Sequence, residues 1–169
     1  MPSSSSRILK KFGTTQPSTA CSTGFTLIEL IIASALVMIT AGVAMVWLNP
    51  SAQFASARNT RRSADINAIA NAIGQKIADN RGVFTCTGGA LPTNAATIMA
   101  TSSGNYNIAP CLVPAYLATF PYDPAAPGAS YVSVSSYDSR YTVRASSTTG
   151  IITIAAPYAE LGAVITVSR

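Results

Sequence analysis

One long apolar run near the N-terminus constrains this chain more than any other feature. Residues 25–48 read FTLIELIIASALVMITAGVAMVWL, and their only ionisable side chain is Glu29. As an α-helix the run spans about 36 Å at a rise of 1.5 Å per residue, which is enough to cross a hydrocarbon core of about 30 Å. With 49% hydrophobic and only 10% charged residues, the chain is too apolar to be disordered. We expect part of its apolar surface to meet lipid or other protein.

The segment before this run is polar, basic and rich in serine and threonine. Residues 1–24 contain Arg7, Lys10 and Lys11 and end at Gly24. In an ordinary secretory signal the small residue at the cleavage site follows the apolar stretch, whereas here it precedes that stretch. Cleavage at Gly24 would therefore remove the charged leader and keep the apolar helix. Hydropathy alone leaves an uncleaved signal-anchor as an alternative.

The net charge of +5 owes much to this leader. Three of the 11 basic side chains lie in it, which leaves eight basic against six acidic side chains. The remaining chain is only weakly basic, so its charge does not indicate a nucleic-acid partner. The chain has no histidine, which removes the commonest general base and the commonest zinc ligand.

The junction GFTLIEL resembles the prepilin signature of type IV pilins and type II secretion pseudopilins, and the resemblance covers about residues 18–48. It implies that a prepilin peptidase cuts after Gly24, and that Phe25 becomes the new N-terminus and is N-methylated. Glu29 falls at the fifth mature position, where the family has its characteristic glutamate. The resemblance further implies a precursor held in the inner membrane, a pilus assembly platform, and a helical filament built from copies of the chain.

Glu29 is the one charge in apolar surroundings, and a carboxylate at mid-membrane costs about 2.5–3.5 kcal/mol on insertion scales. The resemblance implies a role in assembly, because cleavage would create a cation at the α-amine of Phe25 on a neighbouring subunit. In a water-poor filament core we expect this pair to fix the register rather than to add net stability. A simpler interpretation is that Glu29 reaches the interface or offsets the positive helix N-terminus.

Asn49-Pro50 interrupts the apolar run, because proline lacks an amide donor and clashes with the preceding turn. Locally this break predicts a kink or the end of the helix equally well. The following stretch favours a second helical half from about residue 51 to 80, because isoleucines recur there at helical spacings of 3, 4 and 4. These are Ile66, Ile69, Ile73 and Ile77. An arginine cluster falls mainly off this stripe, and we expect it on a solvated face or a subunit contact rather than on lipid or DNA. It consists of Arg58, Arg61 and Arg62.

Residues 83–120 are rich in Gly, Pro, Asn, Thr and Ser and predict a long connecting loop, with at most a helical turn at PAYLATF. Removal of the leader would also remove Cys21, which leaves Cys86 and Cys111 as a pair. In a domain that folds outside the cytoplasm these two would form a disulfide worth about 3–4 kcal/mol. A redox or metal pair is the weaker alternative, since no other soft ligand is present.

The C-terminal part predicts an antiparallel meander of three or four strands that covers the isoleucine stripe. The candidate strands are YVSVS at 131–135, RYTVRA at 140–145, IITIAA at 151–156 and AVITVS at 163–168. Asp138-Ser139 is one of the turns expected between them. The fold class is therefore α+β, with a long N-terminal helix packed on a small sheet, which is the arrangement that the resemblance implies. The predicted segments, in chain order, are a leader at 1–24, a transmembrane or filament-core helix at 25–48, an amphipathic helix half at 49–80, a disulfide-tied loop region at 81–130 and a sheet at 131–169.

No catalytic set stands out, so we expect a structural protein rather than an enzyme, without a cofactor. One faint signal, FPYDP followed by a short strand and Asp138, is similar to the calcium-holding loop of pseudopilins but has fewer acids, and we expect no metal there. The preferred function is a subunit of a type IV pilus that polymerises into an extracellular filament for adhesion, motility or DNA uptake. The alternatives are a pseudopilin of a type II secretion or competence machine and a tip-located minor pilin that acts as a binding module.

Overall fold

The computed structural model describes residues 24–47 and 49–169. The chain divides into two compact units, Met1–Ala44 and Met45–Arg169, and the described part of the first is residues 24–44. The predicted leader, including Cys21, lies outside the described residues except for Gly24.

The first helix, α1, runs from Leu27 to Trp47. Its stretch Leu27–Met45 has a mean hydropathy of 2.3 and is long and apolar enough to cross a membrane. Length and composition alone are weak evidence of a span, because a signal sequence near the N-terminus passes the same test. What is specific to this helix is that its described residues from 27 to 45 are all exposed in the isolated chain.

The second helix, α2, runs from Pro50 to Asp79, so the prediction that helical structure resumes after Asn49-Pro50 is confirmed. Asn49 lies in the left-handed region with φ 41°, and Pro50 fits the first helical position, where its missing N–H is not needed. At the other end the chain turns through Arg81 and Gly82, both with positive φ. The amide of Gly82 donates to the Ile77 carbonyl at 2.8 Å, so Gly82 ends the helix as expected.

A five-stranded antiparallel sheet packs against α2. Its strands are β1 Thr97–Ala100, β2 Ser130–Ser133, β3 Ser136–Ala145, β4 Ile152–Ala155 and β5 Thr166–Ser168. The order is β1-β3-β4-β5, and β2 also pairs with β3. The α+β fold class predicted from the sequence is therefore confirmed, and its layout is consistent with a pilin fold.

The expected helix-on-sheet core is also present. Ile66, Ile69 and Ile73 are buried on the inner side of α2, and Ile77 packs at the margin. From the sheet, alternate β3 residues point toward the same core, together with Ile154 of β4. The buried β3 residues are Tyr137, Ser139, Tyr141 and Val143.

Two predictions, one for the loop and one for a turn, are wrong. The region predicted as a loop contains a strand, β1, and a short helix, α3 (Ala109–Leu112). The turn predicted at Asp138-Ser139 is instead the middle of β3. Serine is common in turns, which is why a turn was predicted here. In the structure Ser139 is buried, and its hydroxyl donates to the Met99 carbonyl at 2.7 Å. This bond ties β3 to β1 and makes a serine acceptable in the core.

A bulge explains why β3 is longer than expected. Arg140 has φ 59°, and the pairing with β1 shifts there, from Ile98 opposite Thr142 to Ala100 opposite Asp138. A bulge of this kind bends a strand without ending it. The first part of β3 pairs with β2 and the last part with β4. The strand predicted at 140–145 is therefore the second half of a longer strand that begins at Ser136.

The long loop is fastened at two points. Cys86 and Cys111 form a disulfide with Cα atoms 5.5 Å apart, which joins the residues that the sequence singled out. The hydroxyl of Tyr137 accepts hydrogen bonds from the amides of Ile108 and Ala109 at 3.0 and 3.1 Å. The loop is thus tied both to itself and to the sheet.

Candidate functional site

The cleavage junction predicted from the sequence is open. Gly24, Phe25 and Thr26 precede α1 without regular structure, and Phe25 is 77% exposed. A Cβ added at Gly24 would meet no atom within 4 Å, so packing does not require a glycine there. Any requirement for glycine at this position would come from the enzyme that cuts the chain.

The beginning of α1 is capped by Thr26. The amide of Glu29 donates to the Thr26 carbonyl at 3.1 Å and lies 3.3 Å from its hydroxyl oxygen. Thr-x-x-Glu is the sequence signature of a capping box, a local signal that the sequence reading missed. Glu29 is the acidic residue of the first turn, where a carboxylate offsets the helix dipole. Its pairing with a neighbouring Phe25 amine stays a prediction.

The surface of α1 is apolar on every side. Exposed large apolar side chains follow one another around the helix with no polar face between them: Leu27, Ile28, Leu30, Ile31, Ile32, Leu36, Val37, Met38 and Ile39. A helix that is hydrophobic all round belongs in lipid or inside a larger protein assembly. Whatever covers α1 must therefore surround it.

The structure corrects the interpretation of the arginine cluster. Arg62 is only 1% exposed. Its Nε and Nη2 donate to the two carboxylate oxygens of Asp123 at 2.7 and 2.9 Å. Its Nη1 donates to Glu160 at 2.8 Å. Rather than lying on a solvated face, Arg62 holds the sheet side of the globular unit to α2.

Arg58 joins the same network one helical turn earlier. Its Nε and Nη2 donate to the two oxygens of Glu160 at 2.7 and 2.6 Å. Two hydrogen bonds lower the pKa of Glu160 to about 2. The bond from Arg58 has the largest effect and the bond from Arg62 the next largest. Only Arg61 fits the prediction of a solvated face, since its side chain is 59% exposed and 3.9 Å from Asp65.

The same contacts bear on the faint calcium signal. Burial would raise the pKa of Asp123, but hydrogen bonds from Arg62 and from the amides of Ala125 and Ala126 outweigh burial, and the pKa is lowered. The second acid of the signal, Asp138, lies 3.3 Å from the Arg140 guanidinium. Within residues 24–47 and 49–169, no group of three or more His, Cys, Asp or Glu could hold a metal ion.

The sequence predicted the candidate functional residues that are neighbours in the chain. It did not predict those that only the fold brings together. Gly24, Phe25 and Glu29 lie together at the start of α1 because they are neighbours in the chain. Arg62, Asp123 and Glu160 come from three separate segments, and no local pattern predicts that they meet. The one available signal in the sequence was that acidic residues are scarce in this chain and arginines outnumber them, so each acid has several possible arginine partners.

A helix that is apolar and exposed on every side, joined in sequence to a small α+β unit, is typical of proteins inserted in a membrane through that helix. Residues 20–45 match the family model described as the prokaryotic N-terminal methylation motif. The chain thus carries the prepilin-type signal of type IV pilins and pseudopilins, which implies processing by a prepilin peptidase and assembly into a pilus or pseudopilus. No curated protein and no solved structure matches the chain.

Proposed function

We propose that this chain is a structural subunit of a type IV pilus, cleaved after Gly24 and polymerised through α1 into an extracellular filament. The observation that carries the proposal is α1 itself. It bears the methylation motif, and its apolar surface is exposed on all sides in the isolated chain. Lipid would cover this surface before assembly, and the helices of other subunits would cover it afterwards.

The unit that follows α1 supports a structural role. Its buried ionisable groups Arg62 and Asp123 pair with each other, and Arg62 also binds Glu160, so their charges are used inside the fold. The disulfide suits a domain that folds outside the cytoplasm. The ion-pair network favours a structural role, and the disulfide fits the extracellular location that the proposal requires.

A pseudopilin is the nearest competing function, because it would share the N-terminal signal. The pairing of Asp123 with Arg62 and of Asp138 with Arg140 supports a pilus, since neither acid is left with its charge free for a calcium ion. A tip-located binding module is less well supported, because the motif glutamate, Glu29, suits a subunit in the body of a filament.

Electron microscopy of filaments sheared from cells that produce the chain, combined with mass spectrometry of their subunits, tests the proposal. We expect filaments whose abundant subunit begins at methylated Phe25. The matched control is Gly24→Val, which the open surroundings of Gly24 allow without disturbing the fold. This variant should accumulate as uncleaved precursor and form no filaments.

Other results separate the alternatives. Filaments that lack the chain would contradict the proposal and favour a pseudopilin. A chain found in traces among filaments of another subunit would favour a minor pilin. An N-terminus at Met1 in assembled filaments would exclude the cleavage itself.

A further inference from the structure

The turn between β4 and β5 presents apolar side chains to solvent in a strained conformation. Leu161 has φ 57°, a region that costs a non-glycine residue roughly 1–2 kcal/mol. Its side chain is 64% exposed, and that of Val164 is 88% exposed. Within the described fold neither side chain gains burial in return for this strain. A strained, exposed leucine is therefore a candidate contact for something outside the chain.

The turn is held firmly on α2 by the residue before it. The amide of Glu160 donates to the side-chain oxygen of Asn59 at 2.9 Å, and the Asn59 side-chain nitrogen donates to the Glu160 carbonyl at 2.7 Å. The Glu160 carboxylate binds both Arg58 and Arg62. With its backbone and side chain both fixed, Glu160 sets the direction in which Leu161 projects.

A second feature of the same unit is an apolar cavity large enough for such a side chain. An apolar cavity of about 260 Å³ lies between α2 and the sheet, where β4 begins and the chain ends. Its lining residues are Ala70, Ile73, Gly74, Ile77, Gly150, Ile152 and Arg169. An apolar cavity of about 150 Å³ is enough to bind benzene, so this cavity has room for a leucine side chain.

Gly74 opens this cavity at the surface of α2. It is exposed in the interior of a 30-residue helix, where glycine is less favourable than alanine. A Cβ at this position would meet no atom within 4 Å, so nothing inside the subunit requires glycine. Its absence of a side chain leaves a space that only an outside group would fill.

We propose that Leu161 of one subunit inserts into the Gly74 cavity of the next copy of this chain. The inference rests on the proposed function and assigns a contact between globular units within that filament. The occupant is a second copy, because the motif implies assembly and the chain itself presents both the apolar projection and the apolar cavity.

The positions of the two surfaces favour an open assembly. Asn59, which holds the turn, and Gly74 are 15 residues apart on α2, or about 22 Å along the helix axis. A contact between two different patches is heterologous, and unless the rotation closes into a ring it repeats as a helical filament. A single such contact would therefore link every subunit to the next.

Cysteine cross-linking in sheared filaments of the full-length chain tests the contact. The double variant Ala163→Cys, Gln75→Cys places exposed thiols beside Leu161 and Gly74 and leaves both of those residues in place. It is treated with a short bismaleimide, and we expect a ladder of covalent multimers. Either single variant should give no ladder, because a heterologous contact needs both cysteines on every subunit. The matched control, Ala163→Cys with Ser103→Cys at another exposed position, should give none.

Two single variants cover the case in which cysteines disturb assembly. Leu161→Gly and Gly74→Leu should leave the melting temperature of the subunit in detergent unchanged or higher, because both positions are exposed and a Cβ at Gly74 would meet no atom within 4 Å. Both should weaken association by about tenfold or more, because the first removes the inserting leucine and the second fills the cavity that would receive it. Normal filaments from both variants would contradict the inference.

The outcomes separate this inference from the proposed function. Filaments that contain the chain but give no ladder, or only dimers, would overturn the contact and leave the pilus subunit standing. A ladder equally strong in the Ser103 control would show contact without the specificity argued here, which would also overturn it. Absence of the chain from all filaments would overturn both proposals.

Discussion

Arg62 shows how one residue can connect the main elements of the globular unit. It lies on α2, its side chain is buried, and its two carboxylate partners come from the loop before β2 and the turn before β5. A buried ion pair adds little net stability over an apolar pair of the same shape, but removal of one partner leaves the other charge buried and unpaired. Loss of Arg62 is therefore expected to lower the stability of the fold, because it leaves the Asp123 carboxylate buried without its partner.

Arg62→Ala should lower the free energy of unfolding by about 3–5 kcal/mol, measured by urea denaturation of the full-length chain in detergent. The neighbouring Arg61→Ala is the matched control. It removes the same side chain from an exposed site 3.9 Å from Asp65 and should change stability by less than about 0.5 kcal/mol. Equal effects of the two variants would contradict the assignment of Arg62 as a buried connector.

At the scale of elements, the contact between α2 and the β4–β5 turn depends on the ionisation of Glu160. The pKa of this carboxyl falls from its usual value of 4.5 to about 2. A lowered carboxyl pKa stabilises the folded state above the unfolded value, and this contribution is lost as the pH falls through the folded value. Asp123 acts in the same direction. Asp65 acts in the opposite direction, because burial raises its pKa.

We therefore expect the turn to loosen from α2 as the pH falls from about 4.5 to about 2. Hydrogen exchange at the Glu160 amide, which is bonded to Asn59, reports this loosening directly. Glu160→Gln should remove the pH dependence of the protection factor at that amide, that is, of its exchange rate relative to the unfolded chain at the same pH, because glutamine does not titrate. An unchanged pH profile in this variant would assign the titration to Asp123 instead.

The helices and the sheet differ in how well the sequence predicts them. The helices were predictable because their signals are local: an unbroken apolar run for α1, and isoleucines at helical spacing for α2. The sheet was predictable in type but not in detail. Its first strand, β1, is four residues in a polar loop. The bulge at Arg140 is defined by a shift in pairing with that strand, which a local sequence pattern does not predict.

The candidate sites divide in the same way. Cys86 and Cys111 were paired from the sequence because the predicted leader removes the third cysteine. The network of Arg62, Asp123 and Glu160 was missed because it depends on tertiary contacts across about 60 and 98 residues. Seen alone on a helix, an arginine gives no sign that it will be buried.

For the whole molecule, the main question is what holds one subunit to another. Because lipid would cover α1 before assembly and neighbouring helices would cover it afterwards, burial of its apolar surface gives little net driving force for association. That surface is also apolar on every side and does not select one register. A charge confined to the first turn of α1 can make that selection, because a misplaced neighbour leaves it unpaired in a water-poor core. Glu29 is the one acidic residue there.

Glu29→Ala should abolish or strongly reduce filament assembly while the precursor stays in the membrane at its normal level. Immunoblots of membranes and electron microscopy of sheared filaments measure the two quantities. Thr26→Ala is the informative control, because it removes the hydroxyl cap of α1 and keeps the charge. Normal filaments from Glu29→Ala would contradict a role in assembly and leave only the interaction of Glu29 with the helix dipole.

The short non-helical lead into α1 fixes where processing would take place. Only Phe25 and Thr26 separate the predicted scissile bond, which follows Gly24, from the helix that begins at Leu27. If α1 lies in the bilayer, that bond cannot move far into water. The peptidase must then hold its catalytic groups at the lipid–water boundary, and enzyme and precursor find each other by diffusion in two dimensions.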